Sequence, residues 1–143
     1  MEIRAATDGD APGMADLFRS AGSSITPYAL TDRLAAIRQG PGLVLLATAW
    51  GPPSGLIAVH WHDTLLAPQP VAQIGLLLVG EEDRRRGVGR LLLKAAAQAA
   101  RSAGCGALEM NVGAEQPSLQ GFCQASGFTQ AGAAFVRPLR KGG

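Results

Sequence analysis

The stretch that constrains this chain most is an apolar strand that runs into a long amphipathic helix through a link of glycine and charge. From Arg90 to Ala103, Arg90, Lys94, Gln98 and Arg101 keep to one face. Leu91, Leu92, Leu93 and the alanines cover the rest, and Gly104 stops the helix. Ahead of it, Ala72–Val79 reads as a buried strand, and Ala107–Val112 follows as another. A strand, a helix and a second strand in that order predict a parallel pair joined by a right-handed crossover.

Gly and Pro cut the rest into short periodic pieces without repeats. Ile3–Ala6 is expected to be an edge strand. Asp8 or Asp10 then caps a helix from Ala11 to Ala21, with Met14, Leu17 and Phe18 as its buried stripe. Thr31 reads as the cap of a second helix that Leu34 and Ile37 carry to Gln39. Leu43–Trp50 and Gly55–Trp61 join Ala72–Val79 in an expected meander. Pro117 to Ser126 is expected as a short helix ended by Gly127, and Ala133–Leu139 as a last strand before the basic Arg140-Lys141. The 143 residues are one domain's worth of chain, so a single domain over 1–143 is expected. Its class is α/β of the α+β type: a mixed, mostly antiparallel central sheet of six to seven strands flanked by about four helices.

Composition narrows the function classes. With 47% hydrophobic and 17% charged residues the chain is core-rich, and a net charge of +2 does not call for a polyanionic partner. Glu2, Arg4, Asp8 and Asp10 leave no apolar signal region in the first ten residues, and no apolar run approaches a bilayer span. Cys105 and Cys123 are too few for a disulfide framework, and with only His60 and His62 no metal site is expected. The expectation is a cytoplasmic protein with no membrane and no nucleic-acid partner, monomer or homodimer.

The sum of charges hides their placement. Six cations lie between Arg84 and Arg101, with no acid from Arg84 through Leu108. Backbone N–H groups at a helix start have no intrahelical partner, and the helix dipole adds a positive end, so this junction favours an anion. Gly87 and Gly89 let the main chain approach a phosphate closely. Two better-known phosphate loops fail here. Leu92 stands where a dinucleotide fingerprint needs its third Gly, and the P-loop's Gly-Lys-Ser/Thr is absent.

Arg84-Arg85-Arg86-Gly87-Val88-Gly89 resembles the Arg/Gln-x-x-Gly-x-Gly/Ala signature of the GNAT (GCN5-related N-acetyltransferase) family. The Leu77-Leu78-Val79 strand before it, the Arg90-Leu91-Leu92-Leu93 helix start and the late Phe122-Cys123-Gln124-Ala125-Ser126-Gly127-Phe128 are similar to the family's pattern too. The resemblance implies an acetyl-CoA-dependent N-acetyltransferase. It would transfer acetyl to a primary amine of a small molecule or a peptide by direct attack, without an acyl-enzyme and without a metal.

By the same resemblance, the amides of Arg85–Arg90 would hold the pyrophosphate of acetyl-CoA, flanked by the Arg84, Arg85, Arg86 and Arg90 side chains around Gly87, Val88 and Gly89. Leu77, Leu78 and Val79 would pair with the pantetheine arm in a splay beside Ala107–Val112, and an N–H near Leu78 or Val79 would polarise the thioester. Gln116 takes the place of a CoA-contacting Asn, Cys123 that of a proton-donating Tyr, and Gln73 that of a Glu base.

The remaining candidates come from residue chemistry. His60 and His62 share a strand face by its period of two, with Trp61 opposite; His62 is the first choice as base and His60 the second. Glu109 is a further candidate base and equally a solvent-facing strand residue. Cys123 is more simply a packing residue than a proton donor. Tyr28 lies where the family builds its acceptor pocket, and Trp50 and Trp61 are expected to pack. Two other classes stay open: a non-catalytic CoA or acyl-CoA binding module, motivated by the missing Tyr and Glu, and, last, a nucleic-acid binder through the 84–101 cations, which lack interleaved aromatics.

Overall fold

The computed structural model describes residues 1–113 and 115–140. The chain groups into two compact units, residues 1–110 and 111–143.

The first unit is a five-stranded sheet in the order β1 (Glu2–Ala5), β2 (Gly42–Thr48), β3 (Gly55–His62), β4 (Val71–Val79) and β5 (Ala107–Met110). The first four strands are antiparallel to their neighbours and β5 runs parallel to β4, across the connection made by α3 (Val88–Ser102). The sheet is mixed and mostly antiparallel as expected, with four helices. Five strands are found among the described residues where six to seven were expected. The missing one is 133–139, which forms no strand. Its β-like composition is a local property, whereas a strand exists only through a partner's hydrogen bonds.

Helix α1 (Ala11–Ser20) buries Met14 and Leu17, and α2 (Pro27–Gln39) buries Leu30 and Leu34. Both lie on one face of the sheet, in a core with Val44, Leu46 and Leu56. Helix α2 starts earlier than Thr31. Thr26 is the cap, its Oγ1 accepting from Ala29 N–H at 3.1 Å, with Pro27 in the first turn where a missing N–H costs nothing. Thr31 lies inside the helix and donates its hydroxyl to Pro27 O at 3.0 Å. At the start of α1 the Asp10 carboxylate turns back instead of capping. It takes both arms of Arg4 at 2.7 and 2.8 Å, and Thr7 N–H at 2.7 Å.

The opposite face carries α3, whose Leu92 and Ala96 are fully buried. Gly104 (φ +87°) ends it in a left-handed turn, with Cys105 N–H donating to Ala100 O. Trp50, expected to pack, is 95% exposed. No described helix is long and apolar enough to cross a membrane.

The second unit holds α4 (Pro117–Ala125), with Gly127 (φ +89°) ending it and Phe128 N–H donating to Cys123 O at 3.0 Å. Lys141 of the expected basic tail lies outside the described residues.

Candidate functional site

The first element of the site is the edge of β4. Its parallel pairing with β5 ends at Ile74–Met110, so residues 75–79 have no strand on that side among the described residues. Gly80 N–H donates to Ser54 O at 2.8 Å, toward β3. Successive peptide groups of a strand face opposite edges. Leu78 therefore also turns its N–H and C=O to β3, while Leu77 and Val79 turn theirs to the open edge. Of the two expected thioester-polarising amides, the alternation turns Val79, and not Leu78, to the open edge.

The second element is a bulge. Ala58 pairs with Leu76 and Val59 with Ile74, so Gly75 is an extra residue with no opposite number, and a Cβ there would meet only open space. The bulge resets the alternation of side chains along β4. Ala72 and Ile74 (0% and 3% exposed) face α3, whereas Leu78 joins the core of α1 and α2.

The third element is the turn from β4 into α3. Residues 81–83 make one short 3-10 turn, and Arg86 N–H donates to Asp83 O at 3.2 Å. Arg85 (φ +72°) and Gly87 (φ +79°) are both left-handed. A non-glycine residue in that region costs about 1–2 kcal/mol, a strain more often found at functional turns than elsewhere. The first bond into α3 runs from Leu91 N–H to Gly87 O at 3.1 Å, so the N–H groups of Val88, Gly89 and Arg90 open the helix unused by it. Because Arg86 N–H is spent on Asp83, the available row within 85–90 is shorter than expected.

Arg84, Arg85, Arg86 and Arg90 are all exposed, and among the described residues only Arg86 has an ion pair, with Asp83 at 3.4 Å. The three acids before the turn thus leave most of its positive charge unbalanced. Helix α3 is seated by Gly55 of β3. A Cβ there would lie 3.0 Å from Leu92 Cδ1 and 3.1 Å from Val88 Cγ1. The close strand–helix approach that a dinucleotide fingerprint assigns to its third Gly is made here by a strand glycine, which leaves Leu92 free to be large.

The fourth element is an apolar cavity of about 380 Å³ between the sheet and helices α1 and α2. Phe18, Leu30 and Leu34 form its helical wall, and Gly75 and Leu76 bring the bulge to it. Only Arg33 and His60 among its lining residues carry polar side chains. His60 pairs with Gln73, and Gln73 with Glu109 on β5, so the three stand in one cross-strand row on one face. His62 lies one row out, exposed, outside the lining, its ring stacked on His60 with centroids 6.0 Å apart. Sequence reasoning missed Arg33 altogether, because its meaning comes only from the cavity.

Tyr28, in the first turn of α2, is 84% exposed and not among the lining residues. Gln116 turns its side chain onto its own loop, where Oε1 accepts from Gly113 N–H at 3.3 Å. Cys123 is a buried residue of α4, and desolvation pushes its thiol up, away from the thiolate a nucleophile needs. No cluster of three metal-ligating side chains occurs among the described residues.

The sequence matches the acetyltransferase (GNAT) family over residues 13–128. No curated protein matches it. Among solved structures, a putative acetyltransferase from Agrobacterium tumefaciens str. C58 is 26% identical, with 96% of this chain and 99% of that one covered at a TM-score of 0.85. Glucosamine-6-phosphate N-acetyltransferase from Arabidopsis thaliana is 16% identical over 97% and 98% of the two chains, with a TM-score of 0.83. An aminoglycoside acetyltransferase from an uncultured soil metagenomic sample is 18% identical over 97% and 96%, with a TM-score of 0.78. A family match over most of the sequence, on a fold shared along nearly its whole length, makes this protein a member of the GNAT family of acetyltransferases.

Proposed function

We propose that this chain transfers the acetyl group of acetyl-CoA to a primary amine of a small molecule or peptide seated in the cavity of α1, α2 and the β4 bulge. The observation that carries this reading is the continuity of the open β4 edge with the unused amides at the start of α3. An extended pantetheine arm needs strand-type partners and a diphosphate needs bare N–H groups, and the chain offers them in that order.

Acetyl-CoA supplies an activated acyl group on a thiol of moderate pKa. Leu77 and Val79 bind its arm through their edge-facing peptide groups. Leu77 N–H, the edge-facing amide nearer the bulge and His60, donates to the carbonyl oxygen as negative charge develops there. Val88, Gly89 and Arg90 donate their amides to the diphosphate, and Arg84 and Arg85 add exposed positive charge around it. His60, the imidazole that lines the cavity, takes a proton from the acceptor ammonium. The amine nitrogen bonds to the acyl carbon as the carbon–sulfur bond breaks. Of the two protons the ammonium loses, one ends on the CoA thiol and one in solvent. His62 and Glu109 flank this position, Cys123 fills a buried place on α4, and the departing thiolate draws its proton from water. We place the activity in the cytoplasm, in keeping with the sparse cysteines.

The test is release of free thiol and formation of N-acetyl product when the protein meets acetyl-CoA and a panel of amines. Turnover lost in His60→Ala and kept in Tyr28→Phe supports the reading. Tight acetyl-CoA binding with no thiol release on any amine replaces it with a non-catalytic acyl-CoA binding module.

A further inference from the structure

The cavity's lining says more about the acceptor than its volume does. Its wall is apolar on the helical side and on the bulge, and among the described lining residues there is no carboxylate. An acceptor that is a polycation, such as a polyamine, would find neither an anion to pair with nor a polar surface to replace its hydration. Among the described lining residues the one permanent charge is Arg33, on α2.

Unlike Arg38 on the same helix, Arg33 has no side-chain partner among the described residues. Arg38, one turn further along the same helix, is tied to Asp8, and Arg4, Arg19 and Arg86 pair with Asp10, Asp16 and Asp83. The Arg33 side chain makes no hydrogen bond or ion pair with any described residue, and Arg33 stands exposed among the residues that line the cavity. A guanidinium against an apolar wall is a planar, two-pronged receptor for a carboxylate, and the wall beside it keeps that pairing stronger than it would be in open water.

Building on the function proposed above, we infer that the acceptor is an apolar amino acid or a close analogue: a primary amine on a hydrophobic body whose carboxylate pairs with Arg33. The body fills the space between Phe18, Leu30 and Leu34, the carboxylate lies at Arg33, and the amine reaches the Gly75–Leu76 bulge beside His60. Arg33 is then a specificity-determining residue. It sorts acceptors by their charge and takes no part in the proton transfer.

Two readouts test this. In the first, kcat/KM is measured for L-leucine, L-phenylalanine, their C-terminal amides and spermidine, in the wild type and in Arg33→Gln. The carboxylate-to-amide ratio cancels each amine's intrinsic reactivity when wild type and variant are compared. It is expected to fall about tenfold in Arg33→Gln, mainly through KM, as for one charge-assisted pair at a partly exposed rim. The second readout needs no turnover: calorimetric binding of the product N-acetyl-L-phenylalanine to the protein, expected to weaken by a similar factor in Arg33→Gln and to persist in Arg33→Lys with an intermediate loss.

A preference for spermidine, or an equal loss for acids and amides, overturns the inference and leaves the acetyltransferase reading standing. If the protein fails to bind acetyl-CoA but still binds N-acetyl-L-phenylalanine through Arg33, the cavity inference stands and the acetyltransferase reading falls.

Discussion

Gly89→Asp separates binding from folding, because the two should move in opposite directions. Gly89 is the second residue of α3, and its N–H is one of the three left open at the helix start. A carboxylate there lies about 5 Å from a diphosphate held by those amides. At an effective dielectric of about 40, suited to a half-exposed loop, each charge pair costs about 1.7 kcal/mol, and the two diphosphate charges together about 3 kcal/mol. The dissociation constant of acetyl-CoA should rise on the order of 100-fold.

The same substitution helps the helix. An acid in the first turn gains about 0.3–1 kcal/mol from the dipole, and replacing a helical glycine by Asp gains about 0.3 kcal/mol more. The variant should therefore melt at the wild-type temperature or a few degrees above it while losing its ligand. The assay is calorimetric titration with acetyl-CoA at two salt concentrations, with Gly89→Asn as the neutral control. The penalty should shrink at higher salt and be smaller in the Asn variant. Affinity within a factor of three of wild type in a well-folded Gly89→Asp would refute the assignment of this turn as the diphosphate cradle.

Three further outcomes follow from the structure. His60→Ala should lower kcat on the order of 100-fold with acetyl-CoA binding unchanged, while His62→Ala changes kcat little; the reverse pattern would move the base one row outward. Gly55→Ala should destabilise the fold by about 1–3 kcal/mol in urea melts, since its Cβ would sit 2.9 Å from Leu78 O and press on Val88 and Leu92.

The third concerns acid stability. The Arg4 guanidinium, opposed by burial and aided by the Thr7 amide and hydroxyl, holds the Asp10 carboxyl well below the usual carboxylate range. A group depressed in the folded state stabilises at pH values above its ordinary value near 4 and loses that contribution as pH falls toward its folded value. Asp10→Asn should cost about 1–2 kcal/mol at neutral pH, the Arg4 side chain being 38% exposed, and should flatten the stability loss below about pH 4. An unchanged acid profile would show that the pairing contributes nothing.

How far the sequence reached depends on how local each feature is. The strand-to-helix turn was legible because Gly87, Gly89 and the arginines act through their own backbone and charge. Helix α3 was legible because its two faces alternate without interruption. The start of α2 was misplaced because Thr31 looks like a cap, while the real signal was the Thr26-Pro27 pair, a side-chain acceptor followed by a residue with no N–H to satisfy. The strand expected at 133–139 shows the limit of composition: residues suited to a pleat do not make one without a neighbour.

The cavity lay beyond sequence reading for a different reason. Arg33 and His60 come from separate elements, and His60, Gln73 and Glu109 share a row only through a register that shifts by one residue at Gly75. A one-residue slip would send each of these side chains to the other face. That is why the sequence does not show that His60, and not His62, lines the cavity.

The most direct measurement is residue-resolved amide exchange and chemical shift on titration with acetyl-CoA. The account predicts that the N–H groups of Val88, Gly89 and Arg90, and those of Leu77 and Val79 on the open edge, shift and gain protection together, while Leu78, already bonded toward β3, changes least. Saturation with acetyl-CoA that leaves those five amides exchanging as in the free protein would contradict it.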